Sequence, residues 1–453
     1  MHSTALEKGK RIYIETYGCQ MNFSDSEIIA SIMKDKGYFL SQDPKEADAI
    51  FINTCSIRDH AEQRILNRLR ELKALKKKNN KLVIGVLGCM AERLKEQIIE
   101  QEKIVDIVAG PDSYRQLPSL LQDVEAGQKG INTLLSEDET YTDIIPVRYA
   151  ANKVSAFISI MRGCQNYCSY CVVPFTRGKE RSRNAVSIVD EASGLFDQGY
   201  REITLLGQNV NSYLWKVNGS TLNFAGLLEQ IASVNPLLRL RFATSHPKDL
   251  SDELLQLMAS YENICRSVHL PVQSGSSRIL ALMNRKYSRE WYMNRIEAIH
   301  SIIKVCSVST DIITGFCTET EKDHRETLSL MEWAKFDFAY MFKYSERPDT
   351  LAAKKYPDDV PEEVKSVRLK EIIALQQKLS YNSNKKDTEK VFSVLAEGVS
   401  KRSGDHLFGR NSQNKVVVFP KNNHHPGDYV NIRISHCTPA TLIGTEHDIQ
   451  PPC

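Results

Sequence analysis

The sequence predicts an α/β chain in three parts: an open parallel sheet covered by helices, a partial (β/α)6 barrel, and a small antiparallel β-barrel. Three observations predict this order. Short β-type runs alternate with amphipathic stretches at the start, which argues a parallel sheet with helices on its faces. Six more β-type runs, separated by helical patterns, fill the middle and argue a barrel or partial barrel. Valine-rich runs punctuated by Gly, Asn and Pro close the chain, as in small closed β-structures.

In the first part, residues 11–16, 49–53, 82–87 and 105–108 read as strands. Residues 26–36 and 62–77 read as helices between them. Residues 136–150 are polar, carry Pro146 and read as a linker. In the second part, residues 156–161, 202–206, 238–243, 268–271, 309–314 and 338–344 read as strands, and 361–386 as a charged helix leading out. In the third, residues 391–397, 415–419, 429–434 and 440–444 read as strands. Domains are expected at 10–135, 150–380 and 383–447. No solenoid repeat or low-complexity tract interrupts them.

The 453 residues are 42% apolar and 25% charged, which is ordinary globular composition. A net charge of +3 is too small to imply nucleic acid by itself. Residues 384–447 alone hold nine Lys and Arg against six Asp and Glu. Eleven scattered cysteines do not make a disulfide scaffold at this length and point to a reducing cytoplasm. The polar residues 1–11 lack the apolar stretch of a signal peptide, and no apolar run reaches transmembrane length, so no membrane partner is expected.

Cys164, Cys168 and Cys171 are spaced C-x3-C-x2-C directly after the first barrel strand. Barrels of this kind place chemistry in the loops after their strands. Structural zinc usually takes four ligands. Three thiolates on a 4Fe–4S cluster leave one iron open to a small molecule. The alternative at this point is a zinc knuckle or three unrelated thiols. Cys19, Cys55 and Cys89 each follow a predicted strand of the first part. Strand ends of a parallel sheet share one edge, where ligands bind. Gly18 and Gly88 precede two of these cysteines and permit close backbone approach. The competing reading is three buried thiols at strand ends.

The C-x3-C-x2-C run resembles the signature of the radical S-adenosylmethionine superfamily. The runs at Thr16–Glu27, Asn53–Arg58 and Gly88–Arg93 are similar to the N-terminal domain of the methylthiotransferase family within it. Met161–Arg183, Gly207–Tyr213, His269–Ser276 and Phe342–Pro348 resemble that family's radical core, and the third part resembles the TRAM domain, an RNA-binding β-barrel. Cys317 stands where the family usually has Pro, and Asp349 where Gly is common. Tyr-Gly-Cys19-Gln-Met-Asn22 resembles the branch acting on isopentenyl-adenosine in tRNA.

The resemblance implies two 4Fe–4S clusters, one on Cys164, Cys168 and Cys171 and an auxiliary one on Cys19, Cys55 and Cys89. It implies S-adenosylmethionine as both methyl donor and radical source. The product is a methylthio group on C2 of N6-isopentenyladenosine beside the anticodon. That carbon is unactivated, so a radical is warranted. The clusters are expected to face one another with the base between them. The alternative substrates are threonylcarbamoyl-adenosine in tRNA and a ribosomal protein. A non-enzymatic iron–sulfur or zinc RNA-binding protein is the third reading, and it leaves the barrel unexplained. Tyr170, Gln208, Asn209, Thr244, Ser245, Gln273 and Ser274 are expected at S-adenosylmethionine. Arg177, Glu180, Arg181, Arg183 and Arg347 are candidates for the base pocket. No catalytic role is assigned beyond the cluster ligands.

The partners implied are tRNA, through its anticodon loop, and an external electron donor. A monomer is expected. Two stretches offer charge for RNA. One is Arg64, Arg68, Arg70, Lys73, Lys76, Lys77, Lys78 and Lys81, whose competing reading is a solvated helix face. The other is Lys385, Lys386, Lys390, Lys401, Arg402, Arg410 and Lys415 with Phe408 and Phe419 interleaved, in the manner of barrels that stack bases. Cys265 and Cys306 are read as core thiols, Cys437 and Cys453 as incidental.

Overall fold

The computed structural model describes residues 9–55, 59–148, 153–217 and 219–447, and the chain divides into two compact units. Residues 56–58 of the second cysteine run, the end of the linker at 149–150 and Cys453 lie outside the described residues.

The first unit comprises residues 1–149 together with 162–165 and 172–183. Its sheet runs β2-β1-β3-β4-β5-β6, with strands Arg11–Thr16, Phe39–Leu40, Ala49–Thr54, Val83–Gly88, Ile107–Ala109 and Gly130–Asn132 numbered in chain order. Every pairing is parallel. β3 and β4 are buried along their whole length, as strands covered on both faces must be. The four predicted strands are present within two residues of their expected bounds. β2 and β6 were not foreseen, being two and three residues long. Helix α1, Gln20–Asp35, starts six residues earlier than the expected helix and buries nearly its entire length from Met21 to Met33. Helix α2 spans Asp59–Lys78, and helix α3 spans Cys89–Leu94.

The predicted linker forms no helix or strand among its described residues, yet it is not loose. Tyr141 is buried, stacks on Tyr114 and accepts the Tyr114 backbone N–H on its hydroxyl. Proline and polar residues marked a connection correctly, but the aromatic ring ties it to the core.

In the second unit, strands Arg239–Phe242, Glu202–Leu206 and Ser155–Ser159 form one parallel sheet, and Ser267–His269, Ser307–Thr314 and Phe338–Lys343 another. A parallel bridge between Leu240 and Ile264 links the first of these sheets to the segment that leads into Ser267–His269, so that the six strands follow one another as in a partial barrel. Its core includes Ile158, Ile203, Leu240, Val268, Val308 and Ala339. An antiparallel hairpin, Leu214–Val217 with Ser220–Asn223, was not foreseen. The helix Glu362–Lys385 leads to a closed five-stranded barrel of Val391–Val399, His406–Arg410, Val416–Pro420, Tyr429–Cys437 and Leu442–Glu446. The strand His406–Arg410 was missed because Gly409 and polar residues break its β-type pattern.

That small barrel is fastened to the lower ends of the larger one. Arg241 donates to Glu202 at 2.8 Å and to the Asn411 carbonyl at 2.8 Å. Arg239 donates to the Arg410 carbonyl and lies over the Tyr429 ring, whose hydroxyl donates to the Leu237 carbonyl. Among the described residues no helix is long and apolar enough to cross a membrane.

Candidate active site

The sheet order places a topological switch between β1 and β3, since β2 lies on one side of β1 and β3 on the other. Ligands of open α/β sheets bind at that point, beyond the strands' carboxyl ends. Cys19 follows β1, Cys55 follows β3 and Cys89 follows β4. Cys19 is the N-cap of α1 and Cys89 is the first residue of α3. Helix N-termini favour thiolate over thiol.

Motif residues beside the cysteines lock these strand ends together. Asn22 donates to Asn53 and to the Thr54 carbonyl, and Asn53 donates to the Asn22 carbonyl and to Ser26. Thr54 donates to the Leu87 carbonyl at 2.8 Å. Gly18 and Gly88 have φ of +132° and +87°. A Cβ on Gly18 would lie 2.4 Å from Cys55 Cβ, and one on Gly88 would lie 2.5 Å from Asn53 Oδ1. Both glycines therefore permit close approach to the neighbouring strand end. The Cys19 thiol donates to Asn22 at 3.2 Å. A hydrogen bond with Cys55 and, against burial, the Arg177 charge pull it down to about 6. Burial pushes the Cys89 thiol up, with Arg177 opposing.

Arg162, Arg177 and Arg181 are buried in the same unit. Asp25 is fully buried and accepts from Arg162 and from Arg177, each at 2.8 Å. Asp112 accepts from Arg181 at 3.0 Å. Burial pushes the Asp25 carboxyl up, but the Arg162 and Arg177 guanidiniums overcome this and hold it below its usual value. Arg162 also lies over the Tyr141 ring at 4.9 Å. Sequence reasoning had set Arg177 and Arg181 at a base pocket. The structure instead commits both to buried carboxylates, and Arg177 Nε also donates to Cys89 Sγ at 3.2 Å. It missed Asn22, Asp25, Asn53 and Arg162. The available signal was a run of polar side chains, Asn22 and Ser24–Glu27, broken only by Phe23, on a helix with few exposed positions.

Of the radical-type cysteines, Cys164 belongs to the first unit, and its N–H donates to the Gly178 carbonyl at 3.1 Å. Glu180 accepts the Gln165 N–H at 3.1 Å. Arg183 is buried. Cys168 and Cys171 belong to the second unit, where the Cys171 N–H donates to the Cys168 carbonyl. Between them, Ser169 ties the loop down by donating to the Leu282 carbonyl at 2.8 Å. The buried Arg285 donates to Cys168 Sγ at 3.4 Å, to Tyr287 and to the Pro271 carbonyl. Tyr170 packs against the cluster containing Met283, Phe316 and Cys317. Arg347 is half-buried.

The expected S-adenosylmethionine residues lie at the carboxyl ends of the second unit's strands. Asn209, Ser245 and Ser274 are buried and bonded within the protein, to Asp249, Asn211 and Thr327. Gln208 keeps a buried Oε1 with no partner. Thr244 and Gln273 hold φ of +67° and +73°. A β-branched residue in that region is strained, and such strain gathers at ligand clamps.

The RNA candidates are thinned. Arg68 is paired with Glu15 and Glu71, Lys73 with Glu102, and Lys76 with Asp106. Phe419 is 1% exposed and fills the small barrel's core, so it cannot stack a base. It stands at an inward position of an alternating strand. Lys415 pairs with Asp387 and Asp337, and Arg410 with Glu397. Lys385, Lys386, Lys401 and Arg402 remain exposed. Cys265 and Cys306 are core thiols, as expected, and Cys317 is a third. Asp349 holds φ +68°, a conformation that Gly adopts at no steric cost.

The residues fit an iron–sulfur group. Arg177 Nη1 and Gln208 Oε1 are buried polar atoms without a protein partner, and buried polar atoms are rarely left so. Among the described residues no three Cys, His, Asp or Glu side chains close around one ion. A cubane's cysteines each take a different iron, so they need not crowd a single point.

Residues 11–110 match the model described as Uncharacterized protein family UPF0004, 158–331 the Radical SAM superfamily and 386–445 the TRAM domain. Curated relatives named tRNA-2-methylthio-N(6)-dimethylallyladenosine synthase are similar over almost the whole chain. That of Amoebophilus asiaticus is 57% identical, with 96% of this chain and 92% of the relative covered. That of Phocaeicola vulgatus is 58% identical, covering 97% and 96%. Among solved structures, the radical S-adenosylmethionine methyltransferase TsrM from Kitasatospora setae aligns with a TM-score of 0.58 at 13% identity, covering 76% of this chain and 77% of that one. The cobalamin-dependent S-adenosylmethionine radical enzyme OxsB aligns at 0.54 and 11%, covering 82% and 56%. These two likenesses speak to the fold alone.

Proposed function

The chain belongs to the family of tRNA-2-methylthio-N(6)-dimethylallyladenosine synthases, and from that membership we propose how its own residues divide the work. It is a transferase of the radical S-adenosylmethionine type that places a methylthio group on isopentenyl-adenosine in tRNA, and it uses S-adenosylmethionine and iron–sulfur chemistry. The observation that carries the reading is near-full-length identity above one half, in a chain that keeps both cysteine triads at strand ends.

In this proposal there are two 4Fe–4S clusters. Cys164, Cys168 and Cys171 hold one, and Cys19, Cys55 and Cys89 hold the auxiliary one. With S-adenosylmethionine, these groups would supply a radical able to break an unactivated C–H bond, together with the sulfur and, from S-adenosylmethionine, the methyl that replace the hydrogen. The chain's residues orient and enclose. Gln208 Oε1 is an unpartnered acceptor suited to the amino group of S-adenosylmethionine. Asn209, Ser245 and Ser274 brace the loops that hold it, and Thr244 and Gln273 turn those loops inward. Tyr170 packs beside the adenine. Asn22, Asn53 and Thr54 hold the auxiliary thiols in register. Arg183, Glu180 and Arg347 serve the target base, and the exposed cations of residues 383–447 serve the tRNA backbone. An external donor supplies the electron. The enzyme works as a cytoplasmic monomer, with domains at 10–135, 150–380 and 383–447.

The test is anaerobic turnover with tRNA carrying isopentenyl- or threonylcarbamoyl-adenosine, followed by nucleoside mass analysis. The expected methylthio gain is confined to the isopentenyl base. Cys168→Ala must lose both 5′-deoxyadenosine and product. Cys55→Ala must keep 5′-deoxyadenosine and lose product. Unchanged methylthio product from Cys55→Ala removes that cysteine from the auxiliary site, and gain only on the other base overturns the substrate.

A further inference from the structure

Three guanidiniums and two carboxylates are buried together in the first unit: Arg162, Arg177 and Arg181 against Asp25 and Asp112. Each of the five residues is at most 6% exposed. Asp25 is shared by Arg162 and Arg177, at 2.8 Å from each, so it offsets the Arg177 charge only in part. A partly offset charge in a dry interior favours a further anion beside it.

The geometry locates where that anion belongs. Arg177 spends Nη2 on Asp25 at 2.8 Å and Nε on Cys89 Sγ at 3.2 Å. Its Nη1 is buried and has no partner. The guanidinium is planar and its donors are fixed in one fork. With Asp25 gripping Nη2, the Nε–H is held on the Cys89 sulfur. Asp25 is in turn held by Arg162, so the fork cannot swing away without breaking a fully buried pair. The segment that carries Arg177 begins one residue after Cys171, yet it packs as part of the first unit.

We propose that Arg177 is a positioning residue for the auxiliary cluster: its Nε donates to the ligand sulfur of Cys89 and its charge lies beside that thiol. This rests on the reading that Cys19, Cys55 and Cys89 ligate that cluster. Three thiolates on a 4Fe–4S group carry net negative charge, which the Arg177 guanidinium would offset. Hydrogen bonds to cluster sulfurs raise the reduction potential. Arg177 thus sets how easily the auxiliary cluster is reduced, independently of the radical-generating triad.

The test uses the full chain with Cys164, Cys168 and Cys171 replaced by Ala, so that only the auxiliary triad can hold iron. Iron and sulfide content and the midpoint potential are read by chemical analysis and by electron paramagnetic resonance during a redox titration. Arg177→Gln is expected to keep most of its iron and to be about tenfold harder to reduce, a fall of about 59 mV for one electron. Arg177→Lys keeps the charge without the fork, and its potential is expected to lie between the two. An unchanged potential in both variants, with full iron content, overturns the proposal and leaves the ligand assignment intact. Absence of iron from the parent itself overturns the ligand assignment, and the proposal with it. Should Arg177→Gln fail to fold, the Arg177→Lys potential decides alone: equality with the parent refutes the hydrogen-bonding role.

Discussion

Replacing Asp25 by Asn should destabilise the first unit more than any conservative surface change. The side chain is 0% exposed and holds Arg162 and Arg177 at 2.8 Å each. The amide keeps the shape but removes the charge, leaving two guanidiniums buried. Removing one member of a buried ion pair typically costs about 3–5 kcal/mol. For a unit of this size about 1 kcal/mol lowers the melting midpoint by about 2–4 °C, so a loss of about 6–20 °C is expected. The assay is urea or thermal unfolding of the apoprotein, followed by near-ultraviolet circular dichroism. Because Arg162 and Arg177 overcome burial and hold the Asp25 carboxyl low, its contribution is complete above the usual carboxylate range. It is lost only as acid protonates the folded form. The deficit of Asp25→Asn should therefore be the same at pH 6 and pH 8. Exchanging Asp25, Arg162 and Arg177 together for Leu, Met and Met removes all three charges, and should restore much of the loss. A deficit below about 1 kcal/mol for Asp25→Asn would mean that water reaches the network and that Asp25 does not hold Arg177 in place.

Burial is the main cause that raises the Glu92 carboxyl to about 7, and the side chain is only 3% exposed. The folded form holds the proton between about 4.5 and 7 while the unfolded form has lost it, so stability falls as pH rises through that window. The shift is worth about 3 kcal/mol, and urea midpoints of Glu92→Gln at pH 5 and pH 7.5 should lack that part of the slope. Gly88→Ala should cost more than Gly37→Ala, although both have φ above +80°, because only the first brings a Cβ against Asn53 and Thr54. Equal unfolding midpoints for the two would contradict the close strand-end packing. Arg241→Ala should strand the buried Glu202 and loosen the small barrel, read as faster amide exchange in Val391–Val399 and His406–Arg410 with unchanged exchange in β3 and β4.

Most of the architecture was legible because it rests on periodicity and on strand-end punctuation. Strands such as Arg11–Thr16 and Glu202–Leu206 stand where the residues predict, since their apolar runs are long and bounded. Elements of two or three residues, such as Phe39–Leu40, carry too little pattern to register. The placement of Cys19, Cys55 and Cys89 after β1, β3 and β4 was legible in the sequence. Their supporting residues were not. Arg177 reads in sequence like any arginine near a nucleic-acid site, and only the fold reveals Asp25 and Cys89 as its partners. Phe419 failed for a related reason: an aromatic amid lysines suggests stacking, but strand alternation turned it inward.

The two triads differ in what surrounds them, and the difference bears on their roles. In the second unit, Arg285 donates to Cys168 and spends its other described bonds on Tyr287 and the Pro271 carbonyl, which are neutral groups. Its charge is therefore available to the Cys168 sulfur it touches. In the first unit, Arg177 shares its charge with a carboxylate that Arg162 also neutralises, so its influence on Cys89 is set by the balance of a network. A cation with no competing anion favours the added electron more strongly than one already paired. On this ground, were the proposed clusters bound, Arg285 would favour electron uptake beside Cys168 more strongly than Arg177 would beside Cys89.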